Sequence, residues 1–245
     1  MLRLRRWTGA LCVGISLLAN LPFLRLMSIF DYDDILREPP AVVLSQFAAG
    51  GSQLIWTWWA FAAVALVFVP TGILLATVLR REDTPYLETV GVLGALSGLL
   101  QAVGLLRWVF VIPPLARAFV EADAGERSTL ATVYGAVHQY GGVLIGEHLG
   151  QLLLVGWTIG IAVAVLGSSG LPSWLGWLGL TTVPFWLLGQ TEMLATGIPE
   201  LPVLELGPVA FMLWEVWLLL LGLWLWRSPI REGSSAKFES RSAEQ

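Results

Sequence analysis

The chain has 245 residues, is 56% hydrophobic and only 13% charged, and carries a formal net charge of -4 at a mean hydropathy of +0.73. That balance excludes a water-soluble domain and points to a polytopic membrane protein whose first partner is the lipid bilayer. The scattered basic residues give no nucleic-acid footprint, and a single cysteine, Cys12, excludes an intramolecular disulfide framework and a multi-cysteine metal site.

A helix that crosses the hydrocarbon layer needs about 20 mostly apolar residues. Six such runs stand at about 7–26, 54–79, 89–112, 141–167, 172–193 and 207–226, which predicts an all-α bundle of six transmembrane helices within a domain spanning 1–227. The first run follows Arg3, Arg5 and Arg6 as a signal peptide would, but no small-x-small cleavage site comes after it, so it reads as a retained helix. The segment 27–53 is longer and acidic, with Asp31, Asp33, Asp34 and Glu38 before Pro39-Pro40. A short turn with Arg80 and Arg81 separates runs two and three, and Pro113-Pro114 opens the segment before run four. Residues 129–166 contain no proline and predict one helix of about 57 Å, which either projects from the bilayer or bends at Gly141-Gly142. Basic residues gather at the N-terminus, at Arg80-Arg81 and in the C-terminal tail, while acids dominate the alternate connections. Both termini are therefore expected on the cytoplasmic side, in agreement with an even number of spans. The tail 228–245 is polar and reads as disordered.

Charges inside hydrocarbon cost from about 2.5 to above 10 kcal/mol each, so those that occur face protein or a wet cavity. Here they are Arg107 in run three, Glu147 and His148 in run four, Glu192 at the end of run five and Glu215 in run six, with Gln101, Gln151 and Gln190 beside them. By rise per residue, Arg107 and Glu147 fall roughly 26 and 27 Å from the inner face, near the outer water boundary, and Glu215 lies roughly 12 Å deep from outside. On an ideal α-helix His148 stands about 100° from Glu147, and His138 falls nearly opposite Glu147. Gly142, Gly146 and Gly150 form a small-residue ladder that lets another helix approach closely, and Gly91, Gly94, Ala95 and Gly98 offer a matching face on run three. Tryptophans near run ends, such as Trp7, Trp56, Trp174, Trp177, Trp224 and Trp226, read as interfacial anchors.

The segment "EHLGQ" lacks the second histidine of H-E-x-x-H, so no metal is assigned, and no haem or other cofactor is expected. Nucleophile-elbow, Walker and dinucleotide patterns are absent, so no catalytic residue is assigned either.

The segments "LLRWVFVIPPLARAF", "HQYGGVLIGEHLGQLLLVGWT" and "LPSWLGWLGL" resemble those of a bacterial membrane family defined only as a domain of unknown function, family 4386. The resemblance runs from the first apolar run to the sixth. It implies a multi-pass protein of the bacterial cytoplasmic (plasma) membrane and supplies no reaction.

The residues themselves point first to a non-enzymatic protein with a polar pocket open to the outside. In it Arg107, Glu147, His148, Gln151, Gln101 and the deeper Glu215 bind or pass a small polar ligand, an ion or a lipid headgroup. Two alternatives stay open: an intramembrane enzyme acting on a lipid-like substrate, and a structural or assembly subunit that associates helix to helix through the glycine ladder.

Overall fold

The computed structural model describes residues 2–227; the expectation of a disordered tail at 228–245 falls outside them. Regular structure among the described residues is helical throughout: α1 (Leu2–Leu18), α2 (Asn20–Phe30), α3 (Pro40–Leu79), α4 (Leu87–Phe110), α5 (Ile112–Glu121), α6 (Ala124–Val137), α7 (Gly150–Leu166), α8 (Ser173–Ala195) and α9 (Gly207–Arg227). A 3-10 turn, Asp34–Arg37, follows α2, and a π-helical segment, His138–Leu149, joins α6 to α7.

Local chemistry sets the boundaries. Proline occupies the first turn of α3 and of α5, where its missing N–H has no intrahelical partner to lose. Asp123 caps α6, its carboxylate accepting from the N–H groups of Gly125 and Glu126 at 2.9 Å each. Within α3 the helix breaks at Gly51, whose φ of 58° and ψ of -155° suit only glycine. The break divides a short arm, 40–50, from the long apolar rod that follows.

Among the described residues, five stretches are long and apolar enough to cross a membrane: Leu2–Phe30, Pro40–Leu79, Leu87–Glu121, Ala124–Leu166 and Gly207–Arg227. With exposed apolar side chains such as Val92, Leu99, Val103, Val163 and Leu188 along these helices and α8, the surface is that of a multi-pass membrane protein. Helix α8 is long, but its apolar character is diluted by tryptophan, glycine, threonine, Pro184 and Gln190. Thr182, Gln190 and the glycines at 176, 179 and 189 are all buried against protein.

Helix α3 lies along α4, α1 against α9, and α7 against α4 and α8. Two apolar cores result. One joins the far halves of α3, α7, α8 and α9 around Trp157 and Trp217. The other joins α2, the near half of α3 and α5 around Trp58 and Trp108, whose rings stack 4.9 Å apart. The six tryptophans expected as anchors are exposed, while Trp58, Trp108, Trp157, Trp186, Trp214 and Trp217 are buried. Two of these buried indoles are tied to backbone, Trp157 to the Gly72 carbonyl at 3.1 Å and Trp217 to that of Leu175 at 2.8 Å.

The bundle has two chemically distinct ends. At one, Arg37 meets Glu192 at 2.6 Å and Glu205 at 3.8 Å, tying the 3-10 turn to the end of α8 and the segment before α9. At the other, Arg81 follows α3 and reaches the Ala164 carbonyl of α7 at 3.5 Å.

Candidate functional site

Residues 138–149 join α6 to α7 without a break, and at Gly141-Gly142, where the sequence allowed a departure from a straight helix, the chain winds as a π-helix. A π-helix holds about 4.4 residues per turn, roughly 82° per residue. Over the nine residues from His138 to Glu147 that returns the side chain to within roughly 20° of its starting direction, where an α-helix would leave it opposite. The separation of His138 from Glu147 read from the sequence is thus corrected: both face Arg107 of α4. The Arg107 Nη2 lies 3.4 Å from His138 Nδ1 and 3.9 Å from the Glu147 carboxylate. An arginine only donates, so Nδ1 accepts and the imidazole carries its proton on Nε2. Arg107 also donates to the Gly104 carbonyl at 2.5 Å, and its guanidinium stands 5.1 Å from the centre of the Trp108 ring.

The π winding also sets the helix contact. Glycines 142, 146 and 150 face α4 as a row, but their partners are Arg107, Gly104 and Gln101. A Cβ on Gly146 would stand 2.9 Å from the Gly104 Cα, and one on Gly142 would collide with the Arg107 guanidinium. The face expected to receive this ladder turns elsewhere: Gly91 and Gly98 meet α3, and Gly94 meets Gly72 and the Trp157 ring.

Between the two cores lies a cavity of about 590 Å³. Five of the six candidate residues line it: Gln101, Arg107, Glu147, Gln151 and Glu215. His148 does not. It donates from Nδ1 to Gln190 Oε1 at 2.8 Å, and Gln190 donates onward to Gln151 Oε1 at 2.7 Å, so His148 reaches the cavity only through a relay of amides. Glu147, His148 and Glu215 therefore do not converge as a metal triad would require.

Several lining residues were not among the six site candidates. His138, Tyr32, Asp33 and Arg37 belong to the wall near the Arg37 end, together with Glu192. Burial pushes the Tyr32 phenol well above its ordinary range, and the nearby Asp33 and Glu147 charges push it further. Burial works against the Arg37 charge, but Asp33 and Glu192 outweigh it and hold the guanidinium ionised. Deeper in the bundle, Asn20 donates to Glu215 Oε2 at 2.8 Å. It is the only asparagine in the chain, and its place inside an apolar run was the available signal.

Two charged side chains in this wall are incompletely partnered. Glu215 is 5% exposed and its Oε1 accepts no hydrogen bond among the described residues. Arg107 is 6% exposed and its Nε has no acceptor among the described residues. The Trp186 indole N–H, also in the wall, lacks one as well. Burying such groups costs about 1–3 kcal/mol each. Most of the remaining wall is apolar, with the rings of Phe23, Phe61, Phe68, Phe211 and Trp214 in it.

No curated protein and no solved structure matches the chain. The sequence signature of a domain of unknown function, DUF4386, matches residues 7–227, taking in the cavity wall from Ile15 to Glu215, and the chain belongs to that family.

Proposed function

We propose that residues 1–227 form a six-span transmembrane domain of the cytoplasmic membrane, with both termini on the cytoplasmic side. We infer that its cavity, open at the Arg37 end to the outside, binds or passes a small amphipathic ligand. Helix α8 is taken as the sixth span because it runs from a Gly176 packed on Leu166 at the end of α7 to a Glu192 beside Arg37, the two ends of the bundle. Thr182 and Gln190 are buried against protein, and the exposed Thr181 hydroxyl donates to the Leu178 carbonyl of its own helix at 2.7 Å, which satisfies it toward lipid. Arg3, Arg5, Arg6, Arg80, Arg81 and Arg227 fall at one end of this arrangement and Asp31, Asp33, Asp34, Glu38, Glu200 and Glu205 at the other, which supports the orientation.

The observation that carries the ligand reading is the Glu215 carboxylate: buried, unfilled at Oε1, and set in an aromatic cavity large enough for an organic molecule. A polar head that donates to Glu215 and accepts from Trp186 completes both, while its apolar body lies on the phenylalanines. Arg107, Glu147, His138, Arg37 and Glu192 form a charged mouth that selects what enters. Gln101 and Gln151 line the way between, and His148 orients Gln151 through Gln190.

The test is mass spectrometry of small molecules retained by the detergent-purified full chain beside a Glu215→Gln variant. A compound carried by the natural protein and lost from the variant is the expected result. If neither preparation retains a compound and the variant differs only in melting temperature, Glu215 is structural and the reading falls.

A further inference from the structure

A second, smaller cavity lies at the opposite end of the bundle, where four segments meet. Arg5 of α1, Arg80 and Arg81 after α3, Ser168 and Leu171 after α7, and Leu225 of α9 enclose about 130 Å³. Two of the three arginines already have acids outside this space: Arg80 pairs with Glu88 at 2.6 Å and Arg81 with Asp83 at 3.0 Å. Arg5 has none. Its Nε and Nη2 are buried and have no hydrogen-bond partner among the described residues, although a guanidinium carries five donors in a planar fork. The helix start that bears it places Arg3 and Arg6 close by in the chain, which makes the surroundings more positive still.

We propose that this niche binds a phosphate group. An arginine edge with two adjacent unfilled donors matches two oxygens of a phosphate bidentately, and two further guanidiniums in the same wall supply the opposing charge. Ser168 adds a hydroxyl that can donate to a third oxygen. The space admits the phosphate and its ester oxygens but no acyl chain, so any larger ligand extends outward. Trp7 and Trp226 are exposed at this end, as tryptophan is at the level of lipid headgroups. Beside them runs the apolar outer surface of the helices, on which acyl chains can lie. The proposal concerns the basic end of the molecule and does not depend on the ligand of the larger cavity.

Native mass spectrometry of the full chain, delipidated and titrated separately with phosphatidylglycerol, with diacylglycerol and with inorganic phosphate, tests it. One phosphatidylglycerol is expected to bind about tenfold more tightly than diacylglycerol, the ratio that charge-assisted hydrogen bonds of this kind confer. Arg5→Gln is expected to remove that preference, while Arg3→Gln, outside the niche, keeps it. Saturable binding of inorganic phosphate that Arg5→Gln abolishes, without a preference between the two lipids, would identify a free phosphate or small phosphate ester as the source. Equal affinity for both lipids with no phosphate binding overturns the proposal, and so does an Arg5→Gln protein that binds like the natural one. The lipid comparison on the natural protein decides the matter even where the Arg5 variant does not fold.

Discussion

Arg107 is nearly inaccessible, yet the carboxylate it pairs with among the described residues is 3.9 Å away and about a third open to its surroundings, with Glu147 31% exposed. A contact of that length and exposure contributes about 1 kcal/mol at most. The charge is held chiefly by the Gly104 carbonyl, His138 and the Trp108 face. Glu147→Gln is accordingly expected to lower stability by no more than about 1 kcal/mol. Arg107→Met, which swaps an incompletely partnered buried cation for an apolar stem, is expected to leave the melting temperature unchanged or raise it, while abolishing ligand retention. A loss above about 3 kcal/mol on Arg107→Met would instead mark the residue as a structural pin. At this scale the sequence was informative about which groups are anomalous, because charge within an apolar run is conspicuous. It was silent on their directions. Glu215 and Arg107 could be picked out, but the partnership of Arg107 with His138 depends on a winding that no apolar pattern encodes.

Between helices, the contact of α4 with the π-helical segment rests on two glycines without side chains to separate them. A methyl at 146 meets Gly104 backbone, which cannot rotate aside. Gly146→Ala is therefore expected to cost about 1–3 kcal/mol in thermal unfolding in detergent. Gly135, in α6, has nothing within 4 Å of its would-be Cβ, and Gly135→Ala is expected to be neutral or stabilising by about 0.5–1 kcal/mol. Gly51 is equally uncrowded, but its backbone lies where only glycine is unstrained. Gly51→Ala is expected to cost about 1–3 kcal/mol for that reason alone. Equal effects at 135 and 146 would remove the packing argument. The six apolar runs all fall in helices, because length and hydropathy are properties of the run itself. The faces by which those helices meet were not legible: Gly91, Gly94 and Gly98 do form a small surface on α4, but small residues say that something approaches closely without saying which neighbour does.

For the molecule as a whole, the separation of basic and acidic ends makes orientation measurable. Cys12, the single cysteine, is fully buried, so a cysteine placed elsewhere can be read without background. On intact cells a membrane-impermeant maleimide is expected to label Asp34→Cys and to leave Glu82→Cys unlabelled until the membrane is opened. Labelling in the reverse order would invert the proposed topology, and equal labelling would refute it. Charge asymmetry and hydropathy carry this level of organisation in the sequence, whereas the cavity arises only when α1, α2, α3, α4, α7, α8 and α9 are brought together with the 3-10 turn and the π-helical segment. The π-helical segment has one more effect at this scale. Its twelve residues complete about 2.7 turns where an α-helix would complete about 3.3. The helical stretches before and after it are thus out of phase by over half a turn, so α6 and α7 each keep their own frame of inward and outward positions. A single helical wheel drawn through 124–166 assigns one of the two halves to the wrong side, and in any chain sharing this fold the frame must be reset at the segment before its polar residues are placed.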